Sequence, residues 1–393
     1  MTKLPVKAKH FFVFLEIFAW EGGIQSYIKD IFQGYLELGE MGIKSDCAST
    51  SYLLDGEVFL LRDEASAENP FVRDNFQFHY CKSGNPHLGR LKLSLSLLTG
   101  LILRRPDHVF CGHVNLAPLI ASLCQPLGIP YTVLTYGKEV WELLPLAQLR
   151  ALQRANKIWT ISRYSRDRAC AANNIDSGKV EFLPCVVDGN AFTPGEKPTR
   201  LISKYGLGDA KVLMTVARLW SGDIYKGVDV TIRALPKILA VYPEVKYLVI
   251  GRGDDQPRLA KLAEDLGVGD RVVFAGFVAT EELVDHYRVA DAYIMPSKEG
   301  FGIVYLEAMA CGKPVLSGDD DGSADPLQDG YLGWQVPHRD PEAVAAACIE
   351  ILRGSSLAKP DRRCDGNWLR EQALAKFGKE ALVRQLGVLL SNK

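Results

Sequence analysis

Short apolar runs alternate with amphipathic helical patterns along almost the whole chain, and few folds accommodate that alternation. Phe11–Leu15 reads as a buried strand, and Ile24, Ile28, Ile31, Tyr35 and Leu38 then repeat at helical spacing. A second helical run carries Leu91, Leu95, Leu98 and Ile102. Strand-like runs follow at His108–Cys111, Tyr131–Leu134, Ile158–Ile161 and Val180–Leu183. Thr193-Pro-Gly-Glu-Lys-Pro198 is rich in turn formers and reads as a linker. Beyond it the pattern restarts, with strands predicted at 212–216, 247–250, 272–274, 292–295 and 314–316. Helices are predicted at 230–241, 257–266, 280–289 and 304–310. Strand–helix alternation implies a parallel sheet covered on both faces. Two such sets predict two Rossmann-like, doubly wound α/β domains, whose ligands collect beyond the carboxyl ends of the strands.

Composition narrows the function. The 393 residues suit two domains, divided here as 1–195 and 196–367. Lys and Arg number 46 against 47 Asp and Glu, and each half is close to neutral, which argues against a general nucleic-acid binder. No apolar run reaches the roughly 18 residues of a spanning helix. Nine scattered cysteines without a CxxC argue against a disulfide framework or a cysteine zinc site, and suit a reducing cytoplasm. Lys3, Lys7 and Lys9 precede the first apolar run as in a signal peptide. Glu16 breaks that run, however, and Trp20-Glu-Gly-Gly23 stands where a small-residue cleavage site belongs, so a first strand is the expectation.

The residues able to carry chemistry sit just after the predicted strands. Gly22 and Gly23 open the first helix, where amides can meet an anion, although a tight turn explains them equally. Gly251-Arg-Gly253 lacks the third glycine of a dinucleotide fingerprint and reads as a turn. Arg218 and Lys226 could neutralise a diphosphate and its leaving charge, although taken alone they read more readily as solvated loop cations. The most informative stretch is Met295–Val315, a strand, a glycine-broken loop and a helix, with Glu299 and Glu307 eight positions apart. Gly300 and Gly302 free amides for phosphate at the helix start. Glu307 lies within the apolar stretch from Phe301 to Ala310 and needs a partner there. His113 follows a strand of the first half, where ligands collect, although a packed or surface histidine is the readier explanation from the residues alone; His286 and His338 read as structural.

These residues resemble the retaining glycosyltransferases of family GT4, which have the GT-B fold of two Rossmann-like domains facing across a cleft. Glu299-Gly-Phe-Gly-Ile-Val-Tyr-Leu-Glu307 is similar to the family's E-x7-E motif, which puts Gly300, Phe301, Gly302, Ile303 and Val304 among the substrate-binding residues. Arg218 and Lys226 resemble the pair that holds the donor diphosphate, with Trp220–Tyr225 as a small insertion between them. Gly22 and Gly23 resemble the glycine-rich loop, His113 the histidine that contacts the donor sugar, and the segment ending in Phe277 the one that meets the base. Two departures stand out: Cys185-Val-Val-Asp188 replaces Asn-Gly-Val-Asp, and Asp321-Gly-Ser-Ala-Asp325 replaces Gly-Gly-x-x-Glu.

The resemblance implies transfer of a hexose from a nucleoside-diphosphate sugar, UDP-glucose-type or GDP-mannose-type, to an acceptor hydroxyl with retained configuration. Glu299 and His113 would be catalytic, Glu307 would hold the ribose, and no metal or other cofactor is implied. It also implies a last helix, about 368–393, that returns to the first domain. The acceptor would be chosen by 52–82 and 136–146, and a sugar, glycan or lipid-linked sugar all remain open. So does peripheral contact with the inner face of a membrane: Arg90, Lys92, Arg104 and Arg105 flank an apolar helix, and Arg150 to Arg168 is basic. The rival readings are a non-catalytic sugar-nucleotide-binding protein, another GT-B activity such as an epimerase or phosphorylase, and a Rossmann oxidoreductase.

Overall fold

The computed structural model describes residues 6–19, 22–41, 52–354 and 361–391. Lys3, Trp20 and Glu21, used above, lie outside the described residues. Two compact units divide the chain. The first comprises residues 1–185 and 379–393, the second residues 186–378.

The first unit holds seven parallel strands: β1 (Val6–Phe14), β2 (Tyr52–Leu60), β3 (Phe76–Tyr80), β4 (His108–Cys111), β5 (Tyr131–Thr135), β6 (Lys157–Thr160) and β7 (Val180–Phe182). Their spatial order is β3-β2-β1-β4-β5-β6-β7. Helix α1 (Gly23–Met41) follows β1, and α2 (Pro86–Leu103) follows β3. An aromatic core fills one side of the sheet: Phe12 stacks on Phe110 at 5.0 Å and meets Phe32 and Tyr35 edge-on. Strands β2 and β3 lie inside residues 52–82, the stretch read from sequence as loops that choose the acceptor.

The second unit holds six parallel strands: β8 (Lys211–Val216), β9 (Val245–Ile250), β10 (Val272–Gly276), β11 (Ala292–Ile294), β12 (Val315–Gly318) and β13 (Trp334–Val336). Their order is β10-β9-β8-β11-β12-β13. The strand order reverses between β1 and β4 in one sheet and between β8 and β11 in the other. A crevice opens at each such switch point beyond the carboxyl ends of the strands. Gly22, Gly23 and His113 follow the first pair, and Arg218, Lys226 and Glu299 the second.

The units meet in the chain at other points than the turn-former composition indicates. The first crossing falls at Cys185–Val186, ten residues before the expected boundary. The Val187 amide donates to Phe377 O at 2.9 Å. The Arg370 guanidinium donates to the carbonyls of Gly189, Phe192 and Ala310, each at 2.6 Å. Those bonds tie residues 187–192 and the helix Gly366–Phe377 into the second unit. The stretch read as one terminal helix is two, separated at Gly378. The last, Lys379–Ser391, packs on α1 in the first unit, and Gln385 Nε2 donates to Phe182 O at 3.1 Å.

Candidate active site

In the second unit, β8 ends in a loop that a short 3-10 turn, Ser221–Lys226, folds back toward β11. Gly227 terminates this turn at φ +76°, and a Cβ there would lie 2.4 Å from Pro296 O. Only glycine lets the lysine loop lie this close to the chain after β11. The Lys298 amide donates to Tyr225 O at 3.1 Å and closes the approach. Lys226 Nζ then reaches Glu299 Oε1 at 2.5 Å, with both side chains mostly buried. The predicted cation and the first predicted carboxylate are therefore in direct contact.

Arg218 stands at the edge of this arrangement. Its side chain is 73% exposed and ion-paired at 2.8 Å with the buried Asp223. Two more buried carboxylates brace the loop: Asp229 takes a two-pronged bond from Arg339, and Asp255 takes one from Arg258. Each buried charge thus meets a guanidinium, as burial requires.

Glu299 is held by its backbone as well as by its side chain. Its amide donates to Asp321 Oδ2 at 2.5 Å, and the Gly322 amide donates to Glu299 O at 2.8 Å. Asp321 is buried, also accepts from the Ser323 amide and hydroxyl, and burial pushes its carboxyl up to about 7. Sequence reasoning noted this segment only for the shorter acid at Asp325 and missed Asp321. An Asx turn onto Ser323 was the available signal.

The helix Ile303–Ala310 starts at Gly302, whose φ of +94° places a would-be Cβ 2.4 Å from the Tyr305 ring. No side chain caps this end, so amides at its first turn are open to an anion. The Phe301 ring is buried and edge-on to Phe377 at 5.8 Å, which leaves its backbone rather than its ring for a ligand. Glu307, one turn on, accepts from the Tyr287 hydroxyl at 2.6 Å. That is the partner its apolar setting demanded. Burial still pushes its carboxyl up to about 7, with the Tyr287 hydroxyl pulling the other way.

The loop after β9 is stitched to the loop after β8. The Leu219 amide donates to Arg252 O, and Ser221 donates to Asp254 through its amide and hydroxyl. Gly251-Arg-Gly253 is thus a turn, as read from sequence. The Arg252 guanidinium lies 4.9 Å from the centroid of the exposed Phe277 ring.

In the first unit, Gly22 and Gly23 are exposed at the start of α1, and the Ser26 amide donates to Gly22 O. The loop between β1 and these glycines is anchored by Asp63, which sequence reasoning missed. Its fully buried carboxylate accepts from the amides of Ile17, Phe18 and Ala19 at 2.6, 3.0 and 2.6 Å. His113 Nδ1 accepts from the Asn115 amide at 3.1 Å, which assigns the proton of the neutral ring to Nε2. Burial lowers its pKa, Glu139 opposes that, and Arg62 reinforces it.

The family described as Glycosyl transferases group 1 matches residues 210–354, within the second unit. A GDP-mannose-dependent alpha-(1-6)-phosphatidylinositol monomannoside mannosyltransferase of Mycolicibacterium smegmatis is 38% identical over 261 residues, covering 63% of this chain and 67% of that protein. A D-inositol 3-phosphate glycosyltransferase of Acidothermus cellulolyticus is 33% identical over 49% of this chain and 44% of its own. The crystal structure of HepE from Anabaena in complex with UDP superposes with a TM-score of 0.75 at 18% identity, covering 98% of this chain and all of that one, and shares the fold. The chain belongs to the Glycosyl transferases group 1 family and is a glycosyltransferase built from the two parallel-sheet α/β domains of the GT-B fold.

Proposed function

We propose that this chain transfers mannose from GDP-mannose to a hydroxyl of an inositol phospholipid or its glycoside, with retention at the anomeric carbon. The observation that carries the reading is the Lys226–Glu299 contact at the β8/β11 switch point, beside the uncapped helix at Gly302. Relatives named as GDP-mannose-dependent mannosyltransferases support the donor, and their phosphatidylinositol-based acceptors support the acceptor.

Each residue has a chemical task in this reading. Lys226, Arg218 and the amides of Ile303 and Val304 meet the diphosphate and the charge that grows on it as the sugar bond breaks. Glu299 accepts from sugar hydroxyls and orients Lys226. Glu307 accepts from the ribose diol. Gly300 and Gly302 let the donor approach the backbone, and Phe277 lies along the base. His113, neutral with Nε2–H, offers a donor to a sugar hydroxyl. Gly22 and Gly23 give the acceptor or phosphate a close approach. Two cations and a helix terminus already supply positive charge, so transfer is expected to persist in EDTA.

Helix α2 supports work at a membrane surface. Leu93, Leu97 and Leu101 are buried, while Leu88, Leu91, Leu95 and Ile102 form a second, outward stripe, each 55–57% exposed. Arg90 and Arg105 flank it, as an anionic lipid surface would require. Arg104 is instead ion-paired to Glu57, and Lys157 and Arg166 in the second basic stretch pair with Glu181 and Asp167. No described helix is long and apolar enough to cross a membrane.

The test offers labelled GDP-mannose, with UDP-glucose as competitor, to the protein on phosphatidylinositol vesicles in EDTA. A mannosylated lipid with retained configuration is the expected product. Nucleotide binding without turnover on any acceptor would favour a binding module, and transfer from UDP-glucose alone would overturn the donor.

A further inference from the structure

The loop that leaves β12 lies against the loop that leaves β11, and Glu299 sits between their closest points. A Cβ at Gly318 would lie 2.3 Å from Ser297 O, and one at Gly322 would lie 2.0 Å from Gly300 O. The Gly322 amide donates to Glu299 O at 2.8 Å, and Asp321 Oδ2 accepts from the Glu299 amide. Both backbone polar groups of Glu299 are thus held by two consecutive residues of one loop.

Asp321 differs from the carboxylates that brace the lysine loop. Asp223, Asp229 and Asp255 each meet a guanidinium, whereas Asp321, only 3% exposed, is ion-paired with no cation among the described residues. Its oxygens go to three neutral donors: the Glu299 amide, and the amide and hydroxyl of Ser323. A buried carboxylate without a counter-ion costs folding free energy. An asparagine cannot make the same set of bonds, because its one acceptor oxygen serves one amide while its NH2 faces the other. The carboxylate therefore lets one short side chain fasten the Glu299 amide to the turn at Ser323. Beyond this hold, Glu299 is tied through its side chain to Lys226, and the Lys298 amide before it is tied to Tyr225 O. A shift at the Glu299 amide moves its carboxylate and loosens the contact with Lys226.

We propose that Asp321 is a positioning residue for sugar transfer: through the Glu299 amide it fixes where the Glu299 carboxylate and Lys226 meet the donor, without touching substrate itself. This rests on the transferase reading above, in which Glu299 accepts from sugar hydroxyls. The Gly-Gly-x-x-Glu pattern has glycine where Asp321 stands, so the brace is a feature of this chain rather than of the motif. A group that holds the reacting geometry acts on the transition state more than on donor binding, so its loss shows in kcat.

The experiment is a double-mutant cycle of wild type, Asp321→Asn, Glu299→Gln and the pair, each shown to be folded by its melting curve. Consumption of labelled GDP-mannose, with and without phosphatidylinositol vesicles, gives kcat and the donor KM. Asp321→Asn is expected to lower kcat about 100-fold in the wild-type background, with the donor KM within about threefold. In the Glu299→Gln background the same substitution should lower kcat by less than about threefold, because the group it positions is already disabled. A merely structural role, or a loss of folded enzyme, lowers kcat by the same factor in both backgrounds. That result overturns the proposal, as does an unchanged kcat in the wild-type background. Asp321→Gly, which places the glycine of the pattern there, replaces the asparagine variant should that one not fold, with the same split expected. No turnover by wild type overturns the transferase reading and the proposal with it, whereas turnover with equal losses in both backgrounds overturns the proposal alone.

Discussion

Glu307→Gln turns one buried carboxyl into a stability measurement. The native carboxyl titrates at about 7 rather than the ordinary 4.5, because burial penalises its charge more than the Tyr287 hydroxyl relieves it. Between those two pH values the native state holds a proton that the unfolded chain has released. Stability therefore falls as pH rises through that window, and the loss is complete above pH 7. The gap between 4.5 and about 7 corresponds to about 3 kcal/mol at pH 8, and to only a small fraction of that at pH 4.5. Glutamine copies the neutral form and still accepts from Tyr287. Urea unfolding of the variant should thus show a gain over wild type about 3 kcal/mol larger at pH 8 than at pH 4.5. All other titrating groups cancel in the difference. The same variant should bind GDP more weakly at pH 8, because a neutral amide accepts a diol less strongly than a carboxylate does. An equal shift at both pH values would refute the burial argument, and unchanged GDP affinity would remove Glu307 from the ribose.

Lys226→Gln should lower kcat by about 100-fold, the usual effect of deleting a donor to developing charge, with the donor KM much less affected; a normal turnover would take Lys226 out of the phosphate site. Gly227→Ala must force a Cβ to within 2.4 Å of Pro296 O at a left-handed φ, and should cost about 2 kcal/mol or more in thermal or urea unfolding together with activity. A neutral result there would mean the loop is not pressed onto β11. Asp63→Asn replaces an all-acceptor carboxylate facing three amides by a group with one acceptor oxygen and two donors. A destabilisation of about 2–4 kcal/mol should follow, and a change below about 0.5 kcal/mol would deny Asp63 its anchoring role.

Strands buried on both faces were legible because they spell continuous apolar runs, as in Phe11–Leu15 or Tyr247–Ile250. Strand β2 was not, because Asp55-Gly-Glu57 interrupts it. Its Glu57 is satisfied by His79 at 2.8 Å and by Arg104, partners 22 and 47 residues away that no local window contains. Strand β3 alternates Phe, Gln, Phe, His and Tyr, and is only five residues long. The same reasoning separates the site residues. Glu299, Gly302 and Glu307 share one strand–loop–helix segment and are readable together. The pairing of Lys226 with Glu299 spans 73 residues, so no local window shows it, and the resemblance gave the two residues separate roles. Asp63 acts on backbone amides of a distant loop and its residue type alone signals nothing, whereas Asp321 shows locally only as an Asx turn onto Ser323 and not as the partner of the Glu299 amide.

The unit boundary follows from the same physics. Thr193–Pro198 has the composition of a linker, since proline and glycine weaken regular structure. Composition, however, reports only where a chain is free to turn, and a boundary lies where hydrogen bonds and packing change allegiance. Arg370 spans 178 and 181 residues to take the carbonyls of Phe192 and Gly189, and Val187 pairs with the end of the same helix. Charged hydrogen bonds of this kind contribute about 1.5–3 kcal/mol each, far more than the fraction of a kcal/mol that separates turn propensities. The chain therefore joins the second unit as soon as Val186 is reached, and leaves it only when Gly378 ends the helix that carries Arg370.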